Sequence, residues 1–152
     1  MKVYTGGTFD LFHGGHIELL AACRDLAGPK GRVIVGLNSD AFVERYKGRL
    51  PAEPYAVRSA NLYASGFVDA VVLNLGDEDS SIAIDVVRPD VIAIGDDWLD
   101  PEAIDPEARY LAQLGITREW LYVRQMHIEY VPRTTGISTS ALRSGLPMHP
   151  PT

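Results

Sequence analysis

The segment Arg32-Val33-Ile34-Val35-Gly36-Leu37 is apolar almost from end to end, with no polar alternation. A strand of that kind is covered on both faces, which is the condition of a parallel sheet lying between helices. The rest of the chain repeats the theme. Val3-Tyr4, Ala70-Val71-Val72-Leu73 and Val91-Ile92-Ala93-Ile94 are further short apolar runs, and His127 to Val131 alternates like a final strand. Helical patterns lie between them: Gly15 to Ala27, closed by Gly28-Pro29; a short helix capped by Ser39 and running through Val43; Tyr55 to Ser65; and Ser80 to Val87. Pro106 to Leu114 reads as another, stopped by Gly115, and Thr117 caps one more. Tyr46 to Pro54 reads as a basic, proline-containing loop. Such strand–helix alternation predicts right-handed crossovers between parallel strands.

The expected fold is therefore α/β and Rossmann-like, with about five parallel strands and helices on both faces. Ligands of such sheets bind beyond the carboxyl ends of the strands. The loops that begin at Thr5, Asn38, Asn74 and Gly95 all emerge there. A chain of 152 residues suits one domain, expected over residues 1–146 with a disordered tail at 147–152. At this length roughly 68–70% of the unfolded surface is buried, enough for a substantial core. The net charge of −6 argues against nucleic acid and against an anionic membrane surface, both of which call for a basic face. Cys23 is the sole cysteine, so no internal disulfide exists, and its apolar neighbours mark it as a core filler. No apolar run reaches signal-peptide or membrane-spanning length, which makes the cytoplasm the expected compartment.

Function concentrates in Thr5-Gly6-Gly7-Thr8-Phe9-Asp10-Leu11-Phe12-His13-Gly14-Gly15-His16-Ile17. A strand runs into glycines, and two histidines three apart open a helix. Backbone N–H groups and the positive helix end there suit a polyphosphate. The glycines let the main chain approach, and imidazoles can donate to charge developing on a phosphate oxygen. His16 is expected at the mouth of this loop rather than in the apolar face of the helix. A second cluster follows the last strand: Arg133-Thr134-Thr135-Gly136-Ile137-Ser138-Thr139-Ser140, with Ser138 placed to cap a helix through Arg143.

Gly7-Thr8-Phe9-Asp10 with His13 and His16, Gly95-Asp96-Asp97-Trp98, and Arg133 to Thr139 together resemble the cytidylyltransferase family of the His-X-Gly-His nucleotidyltransferase superfamily, most of all its glycerol-3-phosphate branch. The resemblance spans nearly the whole chain except Leu99 to Gln125, which is longer than in typical members. It implies that His13 and His16 contact the triphosphate. It also implies that Gly7, Thr8, Phe9, Arg49, Asp96, Arg133, Thr134, Gly136, Ile137, Ser138, Thr139 and Ser140 surround the nucleotide. Lys47 corresponds to a lysine that holds the acceptor phosphate, and Arg58 to a basic helix residue facing the substrate. The implied catalytic set is His13, His16, Lys47 and Arg133. The implied reaction moves CMP from CTP to a small phosphorylated alcohol, sn-glycerol 3-phosphate first, giving CDP-glycerol and pyrophosphate. Mg2+ is the implied cofactor, with Asp10 a candidate ligand, and a homodimer the implied assembly.

Two departures bear on the acceptor. Gly76-Asp77-Glu78-Asp79-Ser80-Ser81 is acidic where the glycerol-phosphate branch usually carries a lysine, and Thr135 stands where that motif usually has Glu. Phosphoethanolamine and phosphocholine are alternative acceptors on that account. An adenylyltransferase acting on a sugar phosphate or flavin precursor is the other alternative. A dinucleotide-binding oxidoreductase lacks support because the first loop has no Gly-X-Gly-X-X-Gly.

Overall fold

The structure is a computed structural model that describes residues 1–76 and 80–132. Five parallel strands form one sheet in the order β3-β2-β1-β4-β5. They are β1 (Lys2–Gly7), β2 (Arg32–Asn38), β3 (Ala70–Asn74), β4 (Val91–Gly95) and β5 (His127–Val131). The helices are α1 (Gly14–Ala27), α2 (Asp40–Lys47), α3 (Tyr55–Ala64), α4 (Ser81–Val87), α5 (Ala108–Leu114) and α6 (Arg118–Arg124), with a 3-10 turn at Asp96–Trp98. This is the Rossmann-like architecture that the apolar runs predict.

The strand order reverses direction at β1. β1 pairs with β2 from Lys2↔Arg32 through Gly7↔Leu37. Its pairing with β4 covers only Val3↔Val91 and Tyr4↔Ile92. The carboxyl halves of β1 and β4 therefore separate, and a crevice opens where such folds place their ligands. Tyr4, fully buried, lies along the strand beneath this opening. A Cβ at Gly36 would overlap the Tyr4 ring, so the glycine in the otherwise bulky β2 run makes room for an aromatic neighbour.

Several boundaries differ from expectation for local reasons. Thr5-Gly6-Gly7 continues β1 instead of starting the loop, because each residue stays in register with β2. α2 runs four residues past Val43, so Tyr46 and Lys47 are helical and the basic loop begins at Gly48. Gly48 ends the helix in the left-handed conformation at φ 77°, with its N–H on Glu44 O at 2.9 Å. Ser39 and Thr117 cap α2 and α6 through side-chain oxygens, as expected, each cap contributing about 1 kcal/mol. Ser80 does not cap α4; its hydroxyl accepts from Asn74 instead.

Cys23 is buried, and burial pushes its thiol up to about 12, which suits a filler and not a nucleophile. Met126 packs in the core, and Trp120 carries the Arg124 guanidinium 3.9 Å from its ring centroid. No helix among the described residues is long and apolar enough to cross a membrane. The expected Ser138 helix, the acidic stretch 77–79 and the tail lie outside the described residues.

Candidate active site

The loop between β1 and α1 holds two non-glycine residues in left-handed backbone conformations, Phe9 at φ 50° and Leu11 at φ 48°. Such conformations persist only where the surroundings impose them. Three groups do so. The Phe9 ring is fully buried. The Asp10 carboxylate accepts from Leu11 N at 3.1 Å, Ala52 N at 2.7 Å and Glu53 N at 2.9 Å, while Glu53 Oε1 also accepts from Leu11 N at 2.9 Å. Arg58 supplies the third. Its guanidinium has no exposure and donates to Glu53 O at 3.0 Å, Thr8 O and Asn38 O at 2.9 Å each, and Asp40 Oδ1 at 2.5 Å.

Arg58 thus does not present its charge to the site surface. It spans the ends of β1 and β2, the start of α2 and the 51–53 loop from beneath. The expectation of a substrate-facing arginine gives way to a positioning role, because burial leaves a guanidinium only where it reaches several fixed acceptors. Asp10 is similarly occupied by main-chain donors rather than poised for a metal. Among the described residues no three or more His, Cys, Asp or Glu side chains converge as a cation site.

The loop delivers the chain to α1 with an unusual cap. His13 is the N-cap residue, and its Nδ1 accepts from Gly15 N at 3.1 Å. His16 reaches back, its Nδ1 accepting from His13 N at 3.2 Å. The two imidazoles take the parts that a hydroxyl and a carboxamide play in an ordinary capping box. With both Nδ1 atoms accepting, the neutral rings are assigned their proton at Nε2, so Nε2 is the donating atom of each ring. The rings stack with centroids 3.7 Å apart and planes 24° apart. His16 is 3% exposed, flanked by Phe9 at 5.1 Å and Phe12 at 5.5 Å between centroids. It is therefore more buried than a loop-mouth residue, while His13 is half-buried.

A chain of buried polar side chains crosses the carboxyl ends of three strands. Thr8 Oγ1 lies 2.8 Å from Tyr46 Oη and accepts from Asn38 Nδ2 at 3.1 Å. Asn74 Nδ2 donates to Asn38 Oδ1 at 3.1 Å and to Ser80 Oγ at 2.9 Å. Networks of this kind hold their members in one orientation. Asn38, Asn74 and Ser80 were not singled out as site residues by sequence reasoning. Their signal is single polar residues closing the apolar runs of β2 and β3, in register with each other as Asn38↔Asn74.

Beside this network lies a small cleft of about 60 Å³ that opens to solvent, and Gly6 and Gly7 are among the residues that line it. Tyr46, Asn38 and Ser80 line one side, and Trp98, Tyr110 and Gln113 the other. Lys47, exposed at the end of α2, places Nζ 5.6 Å from the Tyr46 ring centroid. Arg49 is exposed in the following loop, and Asp96 is half-buried in the 3-10 turn after β4. The structure therefore gathers Gly7, Thr8, Phe9, His13 and His16 around the carboxyl end of β1, while Lys47 lies exposed at the far end of α2. Phe9 presents main chain there, its ring belonging to the core. Arg133, Thr134, Gly136, Ile137, Ser138, Thr139 and Ser140 lie outside the described residues.

The family model described as cytidylyltransferase-like matches residues 4–145. Among curated proteins, an FAD synthase of Korarchaeum cryptofilum is 34% identical over 144 residues, covering 93% of this chain and 88% of that protein. The bifunctional protein HldE of Campylobacter concisus is 40% identical over 104 residues, 67% of this chain but 21% of that longer protein. Among solved structures, the lipopolysaccharide core biosynthesis protein of Thermoplasma volcanium superposes with a TM-score of 0.60 at 24% identity, covering 86% of this chain and 96% of that one. That likeness concerns the fold.

Proposed function

The chain belongs to the cytidylyltransferase-like family and is a nucleotidyltransferase, and from that premise we propose that it transfers CMP from CTP to the phosphate of a small phosphorylated alcohol, with sn-glycerol 3-phosphate as the simplest acceptor. The observation that carries the reading is the imidazole pair locked at the start of α1 with Nδ1 turned to the backbone. An acceptor phosphate oxygen attacks the α-phosphorus in line. A new P–O bond forms, the α–β bridging P–O bond breaks, and pyrophosphate leaves with the electron pair. A phosphate monoester is already nucleophilic, so the protein's work is positioning and charge stabilisation. His13 and His16 donate from Nε2 to phosphate oxygens as charge builds. Lys47 holds the acceptor phosphate, and Arg49, Asp96 and the 133–140 segment hold the nucleotide. Mg2+, when bound with the nucleotide, would supply charge neutralisation for the departing pyrophosphate.

A second donor reading rests on the FAD synthase relative, whose name implies adenylate joined to a flavin phosphate and whose match covers 93% of this chain. The Gly95-Asp96-Asp97-Trp98 and Arg133-Thr134-Thr135-Gly136 motifs favour CTP. Pyrophosphate release from CTP and ATP, each with a panel of phosphomonoesters, separates the two: turnover with CTP is expected, and turnover with ATP alone moves the chain to adenylyl transfer. In the same assay Lys47→Ala is expected to raise the acceptor KM about 10- to 100-fold and to leave the CTP KM nearly unchanged, the scale of 1.5–3 kcal/mol for a charge-assisted hydrogen bond. Equal effects on both would remove Lys47 from the acceptor side.

The proposal includes a homodimer. Ile82 and Val86 of α4 and Tyr122 and Val123 of α6 are exposed apolar side chains on helices joined by the Arg124–Asp85 ion pair, and they offer a surface for a second copy. Sedimentation at micromolar concentration is expected to show twice the 16.6 kDa chain mass; a monomer alone rejects this assembly.

A further inference from the structure

The turn that follows β4 has little support of its own. It is three residues of 3-10 helix, Asp96–Trp98, with no side-chain cap at its start, and Leu99 N donates to Asp96 O across it at 3.0 Å. So short a turn has poor internal hydrogen-bond geometry, and its last carbonyls find no acceptor's partner within it. Gly95 before it lies close under the Asp97 side chain: a Cβ there would stand 2.5 Å from Asp97 Oδ1.

Arg109, the second residue of α5, takes those last carbonyls. Its Nε donates to Trp98 O at 3.2 Å and its Nη2 to Asp97 O, and its guanidinium carbon lies 5.3 Å from the Trp98 ring centroid. An arginine can cap the end of a helical turn in this way. One edge of its planar fork reaches two neighbouring acceptors at once, which a lysine does not match. α5 is itself fixed. Tyr110, Leu111 and Leu114 are buried, and the Tyr110 ring centroid lies 5.2 Å from that of Trp98. At the start of α5, Arg118 of α6 pairs with Asp105 at 2.6 Å and with Glu107 at 3.0 Å. A brace therefore runs from α6 through the start of α5 to the turn. Its end lies at the site, because Trp98 lines the cleft together with Gly6 and Gly7. Arg109 is exposed, and such contacts in water add little to stability, so the effect of its grip is local geometry.

We propose that Arg109 is a positioning residue for nucleotidyl transfer: by holding the carbonyls of Asp97 and Trp98, it sets the 96–98 turn in the geometry in which Asp96 meets the nucleotide. This rests on the proposed nucleotide end of the site and deepens it. It also gives the long segment between β4 and β5 a task, since α5 supplies a brace that the strand ends lack.

The test measures pyrophosphate release by the full chain with Mg2+ and CTP or ATP. The acceptors are sn-glycerol 3-phosphate, a hexose 1-phosphate, phosphoethanolamine and flavin mononucleotide. Arg109→Met is expected to raise the KM of the nucleotide that turns over about tenfold, the scale of one hydrogen bond, with the acceptor KM unchanged. Calorimetric titration with the same Mg2+-nucleotide is expected to show the same rise in Kd. Arg109→Lys is expected to recover at most part of the loss. In the double variant with Asp96→Asn the two effects are expected not to add, because one acts through the other. Unchanged nucleotide KM and Kd in Arg109→Met overturn the role. So do an equal rise in both KM values, a fall in kcat alone, full recovery by lysine, or full additivity with Asp96→Asn. In each of those cases pyrophosphate release by the unaltered chain still upholds nucleotidyl transfer. No release by the unaltered chain with any pair overturns the transfer reading and the Arg109 role together.

Discussion

His16→Asn is expected to lower turnover at least about a hundredfold, the scale for losing one preorganised donor to a transition state, while the chain still folds. Asparagine can offer an oxygen near the place of Nδ1, so the bond from His13 N, 3.2 Å in the structure, survives. What it cannot offer is a donor at the position of Nε2. The substitution therefore separates the two jobs of the ring. His16→Ala does not separate them. It removes the cap and leaves a hole beside Phe9, Phe12 and His13, so about 1–3 kcal/mol of stability is expected to go as well. Steady-state kinetics with a melting curve for both variants gives the answer. An asparagine variant with near-normal turnover would take the imidazole out of the chemistry and leave it as a cap.

Arg58→Met is expected to destabilise the fold by about 3–5 kcal/mol, a large part of the stability of a domain this size. The side chain fills similar space but leaves Thr8 O, Asn38 O and Glu53 O without this donor and Asp40 without its partner. Arg58→Lys is expected to recover only part of that loss, since a single ammonium cannot span acceptors set around a planar fork. Urea unfolding measures both. The left-handed Phe9 and Leu11 backbone is held by the same groups, so kcat in the lysine variant is expected to fall more than its stability loss explains. A methionine variant as stable as the original chain would refute the positioning role.

The helix starts and the parallel sheet were legible because each rests on a local rule. Val33 to Leu37 carries no alternation, Ser39 and Thr117 precede helices, and Gly28 and Gly115 end them. The histidine pair was legible for the same reason: spacing three along a helix start brings two rings to one end. Lys47 was misplaced into a loop because the stop signal is Gly48 and not the earlier run of charged residues. Arg58 was misread because a basic residue on a helix looks the same in sequence whether it faces solvent or the interior. Its burial depends on Thr8, Asn38 and Glu53 arriving from three other segments.

The order of apolar runs, caps and glycines by itself determined an α/β chain with a histidine-bearing helix start after the first strand, since those features act over a few residues and need no partner from afar. Only the tertiary structure decided which polar groups line the cleft. Asn38, Asn74 and Ser80 become one network through the β2–β3 register, and Tyr110 meets the cleft because α5 packs across from the end of β1. Long-range pairing turns such residues from ordinary strand ends and helix positions into a site. Its physical reason is burial: once water is excluded, each polar atom must find its partner in whatever segment the fold brings near.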